Sequence, residues 1–161
     1  MKTDLQVFCN FKNLECKVSS LQSQKTIFNM RNYKDIYTAY IECLNRREIK
    51  NLGKFIHEDV YYNHQQIGLS KYQQMLEQNF VDIPDLYFNV ELLICDEQFI
   101  ASRLMFDCTP KGGFLGLPVN GKRVSFSENV FYKLNGEKIE NVFSIIDKAA
   151  IEKQLSKALH I

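Results

Sequence analysis

The chain has 161 residues, 45% of them hydrophobic and 24% charged, which suits one domain with a real core and leaves no sign of a disordered polypeptide. A formal net charge of +1, with lysines and arginines scattered along the chain, argues against nucleic-acid binding through a basic face. No run reaches the roughly 18 apolar residues of a membrane span, and the N-terminus lacks a signal peptide's apolar core. Five widely spaced cysteines, Cys9, Cys16, Cys43, Cys95 and Cys108, form no Cys-x-x-Cys pair and read as reduced thiols of a cytoplasmic protein.

Residues 1–29 carry only scattered apolar positions (Val7, Phe8, Phe11, Leu14) and are expected to be an appendage, with the domain proper over 30–161. From Asn32, a plausible N-cap, Tyr33, Ile36, Tyr37, Tyr40, Ile41 and Leu44 recur at helical spacing. A second short helix is expected through Ile49, Leu52, Phe55 and Ile56. The β-rich "DVYYNH" follows, placing Val60, Tyr62 and His64 on one side. Ser70 is expected to cap a third helix with the stripe Tyr72, Met75, Leu76 and Phe80, which Pro84 stops.

The remainder reads as β. Leu86 to Ile94 and Phe99 to Cys108 flank "CDEQ" as a hairpin, and the Gly- and Pro-rich "TPKGGFLGLPVNG" leads into a strand from Val124. After the Asn135-Gly136 turn a last strand runs to Asp147, which can cap a C-terminal helix bearing Ile151, Leu155 and Leu159. Helices first and strands after predict an α+β domain: a cone-shaped, curved antiparallel sheet packed against N-terminal helices around an interior pocket. Apolar residues on the outer sheet face (Phe131, then Ile139, Phe143 or Ile145) predict a homodimer through that face.

One residue breaks the pattern of the Val124 strand. Val124, Phe126, Val130, Tyr132 and Leu134 share a side, and so does Glu128. A carboxyl lining an apolar pocket has its pKa raised by desolvation, toward the range of a useful general acid or base. Its bland counterpart is a buried structural carboxylate, neutralised by Arg103 on a neighbouring strand or hydrogen-bonded to a tyrosine.

"FIHEDVYYNH", "DIPDLYFNVE", "GGFLGLPVNGKRV" and "GEKIENVFSIIDKAAIEKQL" resemble the SnoaL-like polyketide cyclase and predicted ester cyclase family, of nuclear-transport-factor-2-like fold. The resemblance runs from about Asn32 to Leu155 and rests on Phe114, Gly116 and Pro118, on Pro84-Asp85, and on Asp147 with Gln154-Leu155. It implies an intramolecular ring closure on a small hydrophobic molecule, with no metal or organic cofactor and an acid/base aspartate on the last strand. That position reads Ser144 here, and the family's neighbouring histidine reads Val130. A serine cannot replace a carboxylate in moving protons near neutral pH unless a base activates it.

Glu128 is thus the leading candidate for catalysis, with His64 beside it and Tyr62, Tyr132, Ser144 and Arg103 as candidate ligand contacts. Two registers are open at the Asn135-Gly136 turn: a two-residue turn sets Phe143 opposite Glu128, a three-residue turn with a bulge sets Ser144 there. Ser144 facing inward would leave Ile139, Asn141, Phe143 and Ile145 on the outer face. Three functions remain in play: a cofactor-free cyclase, isomerase or hydrolase; a non-catalytic binder of a small hydrophobic ligand; and a dimeric interaction module with a filled cone.

Overall fold

The computed structural model describes residues 33–96 and 98–157. The expected appendage at 1–29, the Asn32 cap and Leu159 lie outside the described residues. Helix α1 covers residues 33–45 and buries Tyr37, Tyr40, Ile41 and Leu44 along one stripe, as the helical spacing requires. A short 3-10 helix, Ile49–Lys54, buries Ile49 and Leu52. Ile56 does not extend that helix; it opens strand β1, Ile56–Tyr62, where a fully buried β-branched side chain fits the pleat.

Strand β2, Gln65–Gln66, turns back on β1, and helix α2 follows over Gly68–Asp82. The helix starts two residues before Ser70 and has no side-chain cap. Gly68 makes the tight entry possible: its φ is +72, and a Cβ there would stand 3.4 Å from the Glu58 carbonyl oxygen. Tyr72, Leu76 and Phe80 form the buried stripe, and the helix ends ahead of Pro84.

Strands β3 (Asn89–Cys95), β4 (Phe99–Cys108), β5 (Val124–Asn135) and β6 (Lys138–Ile146) complete a six-stranded, unclosed sheet in the order β2-β1-β6-β5-β4-β3. The expected antiparallel sheet needs one correction, since β1 pairs β6 in parallel. Helix α3, Lys148–Lys157, starts from a true cap, the Ala150 amide donating to Asp147 Oδ1 at 3.0 Å. Gln154 staples α3 to β5 by accepting from the Ser125 amide and donating to its carbonyl. The core fills the concave side, where Tyr37 and Tyr40 of α1 lean on Tyr132 with ring centroids 5.2 and 6.1 Å away.

The β5–β6 hairpin takes neither expected register. Asn135 pairs Lys138 around a two-residue Gly136-Glu137 turn, and a bulge at Glu140 then shifts the ladder, so that Val130 faces Ser144 and Glu128 faces Ile146. Ser144 and Phe143 keep the sides that the three-residue alternative gave them: Phe143 pairs outward with Phe131. Ile139, expected outside, is fully buried, because the bulge inserts one residue and flips the alternation between Ile139 and Asn141. The convex face is left with Leu92, Ile94, Phe99, Phe131 and Ile145 exposed.

Candidate functional site

Alternation along β5 sends Val124, Phe126, Val130, Tyr132 and Leu134 into the core, and with them Glu128. The carboxyl borders a cavity of about 230 Å³ between the sheet, α1 and α2. Leu104, Phe106, Phe126, Val130 and Val142 make its sheet wall, and Met75 and Leu76 come from α2. The Phe114-Leu115 turn also borders it; the turn is shaped by positive φ at Leu115 and Gly116 and by paired backbone bonds between Phe114 and Leu117. That loop is anchored to the end of α2 by the Lys111 amide on the Asp82 carbonyl at 2.9 Å and the Thr109 amide on Asp85 Oδ1 at 2.8 Å.

No lysine, arginine or histidine lines this cavity among the described residues. Burial pushes the Glu128 pKa up, and the hydrogen bond donated by Ser144 Oγ to Glu128 Oε1 pulls it back only in part. The other polar groups are phenols and one amide. Tyr40 and Tyr72 share a hydrogen bond of 2.7 Å between their hydroxyls, and burial raises the pKa of both, as it does for Tyr132 and Tyr62. These tyrosines are therefore neutral and able to donate hydrogen bonds near pH 7. Asn79, on the α2 face shared with Tyr72 and Leu76, borders the cavity with its side-chain amide unpaired among the described residues.

Ser144 is not among the residues that line this cavity. It lines an outer pocket of about 370 Å³ together with Tyr62, Asn63, Leu115, Ile146 and Lys148. Tyr62, Leu115 and Ile146 border both spaces. Glu128, Tyr62, Tyr132 and Ser144 are thus brought together, and two expected residues are not.

His64 lies outside the cavity. Strand β1 ends at Tyr62, and Asn63 and His64 then adopt φ of 45 and 69, which breaks the alternation. The imidazole is exposed and sits 5.1 Å, centroid to centroid, from the outward ring of Phe143. Arg103 also points the wrong way for a partner of Glu128. It occupies the convex side of β4, between inward Ser102 and Leu104, with Nε 2.7 Å from Glu91 Oε2 and Nη1 3.1 Å from Asn129 Oδ1.

Sequence reasoning took Tyr40 and Tyr72 for core aromatics and passed over Asn79, although an amide on the apolar face of α2 was a usable signal. It also missed Asn63, whose role depends on a contact across 81 positions of sequence. Among the described residues no group of three or more His, Cys, Asp or Glu is arranged to hold a metal ion.

The family model of the SnoaL-like polyketide cyclases matches residues 34–155. No curated protein matches the sequence. Among solved structures, a SnoaL-like polyketide cyclase from Agrobacterium tumefaciens is 50% identical over 76% of this chain and 97% of its own, with a TM-score of 0.76. AclR from Streptomyces galilaeus is 21% identical over 80% of this chain and 98% of its own, with a TM-score of 0.65. TsrD from Streptomyces laurentii is 15% identical over 78% and 95%, with a TM-score of 0.69. The last two likenesses speak to fold alone.

Proposed function

The chain belongs to the SnoaL-like polyketide cyclase family, and from that premise we propose that it moves a proton on a small, mostly apolar molecule held in the cone, with Glu128 as the acid/base. A cyclisation or an isomerisation that begins by removing a proton next to a carbonyl fits the site best. The observation that carries this reading is a carboxyl with no cationic partner, facing an apolar cavity among neutral phenols. Glu128 would take the carbon-bound proton, and a tyrosine hydroxyl, Tyr62 or Tyr132, would donate to the oxygen on which charge develops. Hydrolysis is the weaker variant, because it also requires water inside the apolar cavity.

Size bounds the ligand. An enclosed apolar space of about 150 Å³ accepts a benzene ring, so 230 Å³ suits one substituted ring or an alicyclic molecule of similar bulk. Asn79 offers a hydrogen bond to a polar substituent on the α2 side.

The test is deuterium uptake by small 1,3-diketones and β-keto esters in heavy water, followed by proton NMR. The protein is expected to accelerate exchange at the acidic carbon, and Glu128→Gln to lose about 10²- to 10⁴-fold of that acceleration. Equal rates for both proteins would refute the proposal.

A second reading, a binding protein without chemistry, is favoured by one observation. The cyclases' aspartate and histidine positions are Ser144 and Val130, an uncharged pair facing each other across β5 and β6. In that case ligands stabilise the fold, Glu128→Gln changes their affinity, and no probe is turned over.

The convex face is proposed to pair with the same face of a second copy. A two-fold contact presents each patch to itself, and the outward Phe131, Phe143 and Ile145 next to the Arg103–Glu91 pair give both apolar area and complementary charge. Phe131→Lys is expected to halve the mass measured by light scattering. The free thiols of Cys43, Cys95 and Cys108 agree with a reducing, cytoplasmic setting. Residues 1–29 are proposed to be dispensable for folding of the domain at 30–161.

A further inference from the structure

A buried carboxyl that cycles between proton states needs a route for the proton when a ligand fills the cavity in front of it. Glu128 lines the inner cavity, and Ser144 lines the outer pocket instead. The Ser144 hydroxyl, hydrogen-bonded to Glu128 Oε1, therefore links the inner carboxyl to the outer pocket, next to Tyr62, which borders both spaces.

Its placement is built. The side-chain amide of Asn63 engages both backbone groups of Ser144: the Ser144 amide donates to Asn63 Oδ1 at 2.8 Å, and Asn63 Nδ2 donates to the Ser144 carbonyl at 3.3 Å. Asn63 is itself held by its backbone amide on the Val142 carbonyl at 2.9 Å, and it adopts a left-handed φ of 45, which asparagine tolerates better than most residues.

We propose that Ser144 relays protons between Glu128 and solvent in the outer pocket, and that Asn63 is its positioning residue. In the outward step the Ser144 hydroxyl turns from Glu128 to a water, the Glu128 O–H bond breaks and its proton passes to Ser144 Oγ, and the original Ser144 O–H bond breaks and that proton passes to the water. Glu128 is left as carboxylate, Ser144 as neutral hydroxyl, and the charge leaves as hydronium; the inward step is the reverse. The other titratable groups near Glu128 are Tyr37 and Tyr40 from α1, Tyr72 from α2, Tyr62 from β1 and Tyr132 from β5, all held protonated by burial. From β6 the cavity receives only Val142 and Ile146, and from the loop Phe114 and Leu115. Of the tyrosines, Tyr62 also borders the outer pocket and shares a side-chain hydrogen bond with Ser144, so its hydroxyl belongs to the same chain of polar groups.

The inference deepens the reading of Glu128 as the proton-moving group, yet its test needs no substrate, so a failure to find turnover and a failure of the relay are separable. The full chain is labelled with glutamate carrying ¹³C at the side-chain carboxyl, and the Glu128 resonance is assigned by its loss in Glu128→Gln. In the wild type the resonance is expected as one averaged line moving with pH. In Ser144→Ala proton exchange is expected to slow by about ten-fold or more, so that the line broadens through its midpoint or splits in two. Ser144→Thr, which keeps the hydroxyl, restores averaging. Asn63→Ala, which leaves the hydroxyl but releases it, gives an intermediate rate and serves if Ser144→Ala does not fold. An averaged line of unchanged width in Ser144→Ala, or in Asn63→Ala where that variant must stand alone, overturns the proposal.

Discussion

The two faces of the sheet treat the same side chain in opposite ways. On the convex face Glu91 lies in solvent 2.7 Å from Arg103, and Glu140 lies 3.6 Å from Lys133. On the concave face, along the next strand, Glu128 has a serine hydroxyl for a partner and no cation. Outside, charge is paired and screened, so it does little for stability and specifies no chemistry. Inside, an unpaired carboxyl makes deprotonation costly, which a protein retains for a purpose more readily than for packing.

The largest effect that could break this contrast is on catalysis. Glu128→Gln should remove about 10²- to 10⁴-fold of any catalysed proton exchange, whereas Glu91→Gln should leave the rate unchanged; an equal loss in both would erase the distinction. Next comes packing. Leu104, fully buried beside Glu128 on β4, should cost about 2–5 kcal/mol on truncation to alanine, measured by urea unfolding.

The third effect is pH-dependent and has a definite sign. Because burial raises the folded-state pKa of Glu128 above 4.5, the folded protein binds more protons than the unfolded chain between that value and the raised one. Stability contributed by this group is intact below the window and falls as pH rises through it, by at most about 1.4 kcal/mol per pH unit. Glu128→Gln should match the wild type in melting temperature near pH 4 and melt higher near pH 8. A variant that melts lower at pH 8 would mean that the carboxylate is stabilised. The smallest effect belongs to Arg103→Ala, one residue from Leu104 but facing solvent, which should cost no more than about 1 kcal/mol.

Much of the fold was legible because periodicity is local. The stripe Tyr37, Tyr40, Ile41 and Leu44, the stop at Pro84, and the Asp147 cap each follow from neighbouring residues, and so does the inward side of Glu128. What failed depends on events that interrupt a period. A bulge at Glu140 put Ile139 inside, and left-handed turns at Asn63 and His64 carried the imidazole away from the cavity. Arg103 could not be assigned to a face until its pairing with Asn129 fixed the side. The Asn63 clamp was out of reach for another reason: it joins residues that only the parallel β1–β6 pairing brings together.

The most direct measurement is the pH profile of 1,3-diketone deuterium exchange catalysed by the wild type and by Glu128→Gln. The wild-type rate is expected to rise with pH through a single midpoint above the ordinary glutamate range, and Glu128→Gln to show no such limb. A midpoint at the ordinary value, or the same limb in Glu128→Gln, would contradict the acid/base role of Glu128.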